Sequence, residues 1–269
     1  MNPHPAPAAS AGHRPWPLPG GPWLHAQRWQ GLLFAHWPLP PATLRPLLPP
    51  GLALDTFDGQ AWLGVVPFYL SGLRLRGVPA VPGLSSFPEV NVRTYVHAGG
   101  KAGVFFLSLD TGNPFAAAGG RALSLPYYFA AASIARRGAD GTVAYASRRL
   151  LPAAPGPARA APGRGRPAPA EFRATYRPSG PVAPAASGTL DHWLTERYCL
   201  YSVDRRERVR RLEVHHAPWP LQPATAEVAA NTLAAAHGIR LPPVPARLHY
   251  AHRLDVVGWA PRPIAPGVD

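Results

Sequence analysis

The sequence has almost no lysine and almost no cysteine. Of its 27 basic residues, every one is arginine except Lys101. Cys199 is the single cysteine, which excludes an internal disulfide and is typical of a reducing compartment, so we expect a cytoplasmic protein. No apolar run approaches the roughly 18 residues that a membrane-spanning helix needs, and this predicts that no segment crosses a membrane.

Charged residues are also scarce, at 15% of the chain, whereas 46% of the residues are hydrophobic. This much apolar surface can fill a core and excludes a wholly disordered chain. Proline is in excess, and the 37 prolines and 26 glycines are spread along the sequence. Because an interior proline costs an α-helix about 3 kcal/mol, the composition also excludes a bundle of long helices.

The net charge of +13 is concentrated in one part of the chain. Residues 136–177 contain nine arginines against Asp140 and Glu171, which leaves +7 in that stretch. Its middle, residues 152–170, is a Pro/Arg/Gly-rich sequence of low complexity that we predict to be a flexible hairpin loop. No nucleic-acid recognition motif accompanies the charge, so a basic nucleic-acid-binding protein is the weakest functional hypothesis.

The sequence predicts one folded domain between two less regular ends. Residues 1–24 are rich in Pro, Ala and Gly and are expected to form a disordered leader. The domain is predicted to run over residues 25–263, followed by a tail at residues 264–269.

The periodicity within this domain predicts about ten strands, the last of them over residues 248–259. Short helices are expected at residues 41–48 and 190–194, and one main helix at residues 224–237. The predicted fold is therefore α+β and mostly β. It is a large, mostly antiparallel sheet or barrel with one main helix packed on it.

The clearest strand, over residues 90–96, has two chemically different faces. Valines and a threonine alternate along one side. The other side presents four polar side chains, which are Glu89, Asn91, Arg93 and Tyr95. On an exposed sheet these side chains would be solvated surface. Inside a barrel they would form a pocket with an acid or base (Glu89) and an anion clamp (Arg93), with Tyr127 or Tyr128 as a second wall.

Other constellations of reactive residues are not supported by the pattern. No strand–turn–helix context surrounds a serine, and Cys199 has no adjacent base. His215 and His216 are neighbours on a predicted strand and point to opposite faces, as do His249 and His252. We therefore predict no metal site and no cofactor.

An ordered series of motifs extends from about residue 29 to residue 263. It comprises Phe34-Ala35-His36-Trp37-Pro38, Leu44-Arg45-Pro46-Leu47-Leu48-Pro49, Trp62-Leu63-Gly64-Val65-Val66-Pro67-Phe68, Pro88-Glu89-Val90-Asn91-Val92-Arg93-Thr94-Tyr95, Leu125-Pro126-Tyr127-Tyr128, Thr195-Glu196-Arg197-Tyr198, His215-His216-Ala217-Pro218-Trp219-Pro220-Leu221 and Leu254-Asp255-Val256-Val257. The chain thereby resembles the YqjF-like proteins, the domain-of-unknown-function family DUF2071. The Pro/Arg/Gly-rich loop has no counterpart in the resemblance.

That family is similar in turn to acetoacetate decarboxylase, and the similarity implies a β-rich double barrel with a buried pocket. By this resemblance Glu89 occupies the position of the pocket glutamate. Arg121 followed by Pro126-Tyr127-Tyr128 resembles the segment in which an arginine precedes Pro-Lys-Lys. Both lysines are replaced by tyrosines here, and a phenol cannot form the iminium through which the decarboxylase lysine acts.

Three functional hypotheses follow. The first is a protein that binds a small polar or carboxylate-bearing molecule without Schiff-base decarboxylation. The second is an enzyme with non-imine acid–base chemistry, with Glu89 as the base and a tyrosine as proton donor or oxyanion partner. The third is nucleic-acid binding, and assembly with further copies of the chain stays open. The candidate ligand-binding residues are Glu89, Asn91, Arg93, Tyr95, Arg121, Tyr127 and Tyr128, with Glu89 the candidate for catalysis.

Overall fold

The structure is a computed structural model that describes residues 11–150, 170–204 and 206–264. Its strands are β1 (His25–Leu39), β2 (Ala53–Leu54), β3 (Ala61–Leu75), β4 (Phe87–Ala98), β5 (Lys101–Thr111), β6 (Tyr127–Arg137), β7 (Thr142–Arg149), β8 (Glu171–Pro178), β9 (Cys199–Val203), β10 (Val209–His215), β11 (Leu221–Asn231), β12 (Arg247–Gly258) and β13 (Arg262–Pro263). The prediction of a mostly β protein is confirmed.

The helices are few and short. They are α1 (Pro41–Leu44), α2 (Pro114–Ala122) and α3 (Leu190–Thr195), with 3-10 turns at Arg45–Leu47 and Ala234–His237. The Asn113 side chain caps α2 by accepting from the backbone N–H groups of Phe115 and Ala116. In the described ranges, no helix has the length and apolar character needed to cross a membrane.

The strands close into two rings that share one wall. The wall consists of the neighbouring strands β12, β1, β3, β4 and β5. One ring continues from β5 through β6, β7, β8 and β11 back to β12, and contains nine strands. The other continues from β5 through β9 and β10 back to β12, and contains seven strands. The shared wall therefore has a ring interior on each of its faces.

Alternating apolar side chains line both interiors. On the nine-strand side, the buried residues Val65 and Val92 of the wall belong to one core with Phe172 of β8. On the seven-strand side, Phe34 and Val66 of the wall belong to a second core. Its members on the other strands of that ring include Leu212 and Val214 of β10. The wall is buried on both faces, as a doubly covered sheet requires.

The prediction of a main helix at residues 224–237 is wrong. Residues 224–231 belong to β11 instead, which pairs with β8 and β12, and a 3-10 turn follows at Ala234–His237. Alanine is the best helix former, so the Ala-rich composition favoured a helix. The alternation of half-buried Ala224, Ala226 and Val228 with exposed Thr225 and Glu227 is that of a strand. The longest helix among the described residues is α2.

The prediction of a disordered leader is wrong for the part of it that the structure describes. Arg14 is buried, and its Nη1 donates to the Val214 carbonyl at 2.5 Å. The Trp16 indole N–H donates to Glu213 Oε2 at 2.9 Å. Most of the predicted flexible loop, residues 152–169, lies outside the described ranges. Lys101 is half-buried, and its Nζ lies 2.7 Å from Glu213 Oε1.

Candidate functional site

The polar side of β4 faces the interior of the seven-strand ring. Asn91 lies opposite Val66 of β3, which belongs to the core of that ring, and the alternation of the strand puts the other three polar residues on the same side. Glu89 is 3% exposed, Asn91 5% and Tyr95 0%, while Arg93 is partly exposed. These side chains are therefore not an ordinary solvated sheet surface.

A bulge in the partner strand keeps this alternation regular on β4. Val92 pairs with Ser108 of β5 and Arg93 pairs with Phe106, so Leu107 is an extra residue on β5. The valines of β4 continue to point into the nine-strand ring.

Glu89 is paired with a phenol from a neighbouring strand. Because β5 and β6 are parallel and Leu109 lies beside Tyr127, the Tyr127 hydroxyl reaches across and donates to Glu89 Oε2 at 2.9 Å. Burial raises the pKa of Glu89 from 4.5 to about 8, and the nearby Asp110 carboxylate adds to the rise. Burial and the negative charge of Glu89 hold the pKa of Tyr127 well above 10. At neutral pH the pair keeps both protons.

Helix α2 packs against Tyr127. The Arg121 Nε donates to the Tyr127 carbonyl at 2.7 Å, but the Arg121 side chain is exposed and binds backbone only. Gly120 lies directly against the phenol ring, and a Cβ there would be 2.1 Å from Tyr127 Cδ2. Gly119, the preceding residue of α2, has nothing within 4 Å of such a Cβ.

Replacing Gly120 by alanine is therefore expected to displace Tyr127 from Glu89 and to destabilise the fold by about 1 to 3 kcal/mol. Gly119→Ala is the matched control, because it gives α2 the same gain in helix propensity without the clash. Urea unfolding of both variants measures the difference. Equal stability of the two variants would show that the ring does not depend on the glycine.

Tyr128 points to the opposite side of β6 from Tyr127, as strand alternation requires. Its ring lies under the Arg149 guanidinium, whose carbon is 3.5 Å from the ring centre. Arg149 in turn binds Asp110 with two N–H groups, at 2.7 Å each, and Asp110 is 0% exposed. Of the two tyrosines, only Tyr127 reaches Glu89.

Glu89, Asn91, Arg93 and Tyr95 form a polar strip along β4. At its Tyr95 end a second cluster of side chains lies beneath α3. His36 Nε2 and the Tyr95 hydroxyl share a hydrogen bond of 2.7 Å. The Arg197 guanidinium lies 4.3 Å from the Trp193 ring centre and 5.0 Å from that of Tyr95. Burial, together with the positive charge of Arg93, holds the pKa of His36 well below 6.5, so its ring is neutral.

Several buried polar atoms on this face have no hydrogen-bond partner in the described structure. They are Asn91 Oδ1, Arg93 Nε, His36 Nδ1 and Arg197 Nη2. An unsatisfied buried polar group costs about 1 to 3 kcal/mol, so these four atoms are the ones on this face that a bound polar group could satisfy. Two surface clefts in the described part of the chain lie elsewhere, one at Ala122, Asp204 and Arg208 and one at Asp140 and Glu227.

The described part of the chain contains no cluster of three or more histidine, cysteine, aspartate or glutamate side chains able to hold a metal ion. His249 Nε2 lies 3.3 Å from Asp191 Oδ2 and is the best placed of the histidines beside a carboxylate.

A family model matches most of the chain. The model DUF2071, described as "Uncharacterized conserved protein", matches residues 26–255. The "Uncharacterized protein YqjF" of Bacillus subtilis (strain 168) is 41% identical over 243 residues, which cover 90% of this chain and 93% of that protein. The chain belongs to the YqjF-like DUF2071 family. The resemblance found in the sequence is thereby confirmed.

Solved structures similar to this YqjF-like protein share its fold at low identity. The enduracididine biosynthesis enzyme MppR, complexed with the condensation product of pyruvate and imidazole 4-carboxaldehyde, has a TM-score of 0.60 at 15% identity, covering 97% of this chain and 99% of MppR. An acetoacetate decarboxylase-like enzyme from Sphingomonas wittichii RW1 has a TM-score of 0.58 at 14%, with coverages of 94% and 99%. Acetoacetate decarboxylase from Legionella pneumophila has a TM-score of 0.56 at 13%, covering 94% and 93%. The acetoacetate decarboxylase-like fold is confirmed.

Two polar residues of this YqjF-like site, His36 and Arg197, were not singled out from the sequence. The same holds for Asp110 and Arg149, which lie with Tyr128 on the side opposite to Tyr127. His36 and Arg197 lie within motifs that carried the family resemblance, which was the one signal available for them. Asp110 follows the apolar run of β5, and only the packing of β7 beside it shows that Arg149 is its partner.

Proposed function

We propose that this YqjF-like protein binds a small molecule bearing a carboxylate or another polar oxygen inside the seven-strand ring. Glu89, Asn91, Arg93 and Tyr127 are the binding residues. The observation that carries the proposal is the set of unpartnered, buried polar atoms on this one face, with Asn91 Oδ1 and Arg93 Nε at its centre. Ligand sites characteristically combine apolar walls with a few convergent polar groups.

The position of the only lysine amine supports a function that forms no imine between the protein and a ketone. Lys101, the one lysine of the sequence, is the first residue of β5, directly after the turn that follows β4, and is ion-paired with Glu213. From Glu89 to Ala98, at that turn, β4 extends roughly 30 Å at about 3.3 Å per residue. Tyr127 stands next to Glu89 instead, and its phenol cannot condense with a ketone. MppR, which shares the fold, is known complexed with pyruvate, so the fold can hold a small carboxylate.

A second candidate is an enzyme with acid–base chemistry, and the Glu89–Tyr127 pair favours it. A carboxyl group with a pKa of about 8 is protonated at neutral pH and can give a proton to a substrate oxygen. The Tyr127 hydroxyl, which donates to Glu89 Oε2, can then stabilise the carboxylate that remains on Glu89.

A ligand screen by thermal shift tests the proposal. Straight-chain carboxylates from acetate to octanoate and the matching primary amides are added at pH 7 to wild type, Glu89→Gln and Glu227→Gln. Glu227 is exposed on β11, so its variant is the matched control. At least one carboxylate is expected to raise the Tm of wild type and of Glu227→Gln by more than its amide does, and to raise that of Glu89→Gln less.

Equal shifts in all three proteins, or no shift in any, would contradict binding at Glu89. Where a ligand binds, proton NMR of its mixture with the protein separates the two candidates. Conversion by wild type that is lost in Glu89→Gln would establish the enzyme, whereas an unchanged spectrum would establish a binding protein for that ligand.

A further inference from the structure

We infer that Arg93 and Arg197 form an oxyanion subsite beneath α3, which fixes where the negative charge of a ligand lies. The inference rests on the proposed function and adds to it a residue, Arg197, and a region, α3, that lie outside the Glu89 end of the strip.

Arg197 is held rigidly but keeps one free donor. Its Nη1 donates to Asp55 Oδ2 and its Nε to the Trp193 carbonyl, each at 2.6 Å. Its Nη2 has no partner in the described structure, although the residue is only 8% exposed. Tyr95 and Trp193 lie against the guanidinium and restrict its orientation. A guanidinium fixed in this way is pre-organised to bind an oxygen anion.

Arg93 brings a second guanidinium to the same aromatic ring. Its carbon lies 5.7 Å from the Tyr95 ring centre, and that of Arg197 lies 5.0 Å from it. Arg93 Nη2 donates to the Leu194 carbonyl of α3 at 3.4 Å, while its Nε is unpartnered. Among the described residues, no carboxylate is within ion-pair distance of Arg93. Because Arg93 is partly exposed, the subsite has a side open to solvent.

The charges of this cluster do not balance. In the described part of the chain, the one carboxylate that pairs with either arginine is Asp55, which binds Arg197, and the His36 ring beside the Tyr95 hydroxyl is neutral. Asp191 of α3 is engaged by Arg247 and His249. One positive charge, that of Arg93, is therefore left without a counter-ion among the described residues. A singly charged oxyanion would neutralise it and accept from the free donors of both arginines.

The probes for this subsite are sodium acetate and sodium phosphate, each compared with sodium chloride at equal ionic strength. Their affinities are measured by isothermal titration and by the rise in Tm. Wild type is compared with Arg197→Gln and Arg93→Gln, and with Arg177→Gln as control. Arg177 is exposed and pairs with Asp140 at 3.5 Å, so its loss removes the same charge from a surface site.

We expect acetate, or acetate and phosphate, to bind wild type and Arg177→Gln alike, and to bind both subsite variants at least tenfold more weakly. Arg197 also holds Asp55, so Arg93→Gln is the variant that keeps the test decisive if Arg197→Gln unfolds. Asp55→Asn removes the competing carboxylate and is expected to tighten acetate binding several-fold. Binding of acetate without phosphate assigns the subsite to carboxylates, and binding of both assigns it to oxyanions in general.

Equal affinities in wild type and Arg93→Gln, or weaker binding in Asp55→Asn, would overturn the subsite. The titrations with acetate and phosphate also distinguish the subsite from the proposed function. Acetate binding that depends on Arg93 and Arg197, combined with a ligand screen that is insensitive to Glu89→Gln, would leave the subsite standing and reject the Glu89 site.

Discussion

Arg149→Gln is expected to destabilise the protein by about 3 to 5 kcal/mol, because it leaves the Asp110 carboxylate buried without a counter-ion. Asp110 is 0% exposed, and both of its oxygens accept from Arg149 at 2.7 Å. Arg149 also covers the Tyr128 ring, so packing is lost together with the charge. Urea unfolding at pH 7 measures the change in the free energy of unfolding.

Two further variants separate the ion pair from a general effect of losing an arginine. Arg177→Gln breaks an exposed pair with Asp140 and is expected to change stability by no more than about 0.5 kcal/mol. Asp110→Asn combined with Arg149→Gln removes both charges and is expected to recover a large part of the loss. A loss of less than about 1 kcal/mol in Arg149→Gln alone would show that Asp110 does not need its partner.

The strands could be predicted from the sequence where one side of each was apolar and the other polar. That condition holds along β4, whose predicted valine face and polar face both exist. It also holds along β11, but there the apolar side is made of alanines, whose helix propensity competes with the alternation. Partners on both sides of β11 decide in favour of the strand, and a single sequence does not show those partners.

The candidate site could be predicted only as far as one strand reaches. The strip of β4 was identified because its members are two residues apart. Partners from other strands, such as Tyr127 for Glu89 and His36 for Tyr95, depend on which strands adjoin. Which strands adjoin is set by the two rings that share β4, and the strand pairings of these rings join segments far apart in the sequence.

The pH dependence of stability should reveal the protonated state of Glu89. Its pKa is 4.5 without the fold and about 8 within it, so the folded protein holds one more proton than the unfolded chain between these values. The free energy of unfolding therefore falls as pH rises through this window, by about 1.4 kcal/mol per pH unit at most. The total contribution is on the order of 3 to 5 kcal/mol, fully lost above about pH 8.

Glu89→Gln removes this contribution, because the amide does not titrate and its oxygen can still accept from Tyr127. The stability of Glu89→Gln relative to wild type is expected to rise steadily from pH 4.5 to pH 8 and then to level off. Glu227→Gln, an exposed control, should run parallel to wild type throughout. Chemical denaturation at half-unit steps of pH measures the difference. Parallel curves for Glu89→Gln and wild type would mean that Glu89 ionises at its ordinary pKa, and the acid–base candidate would then lose its proton donor.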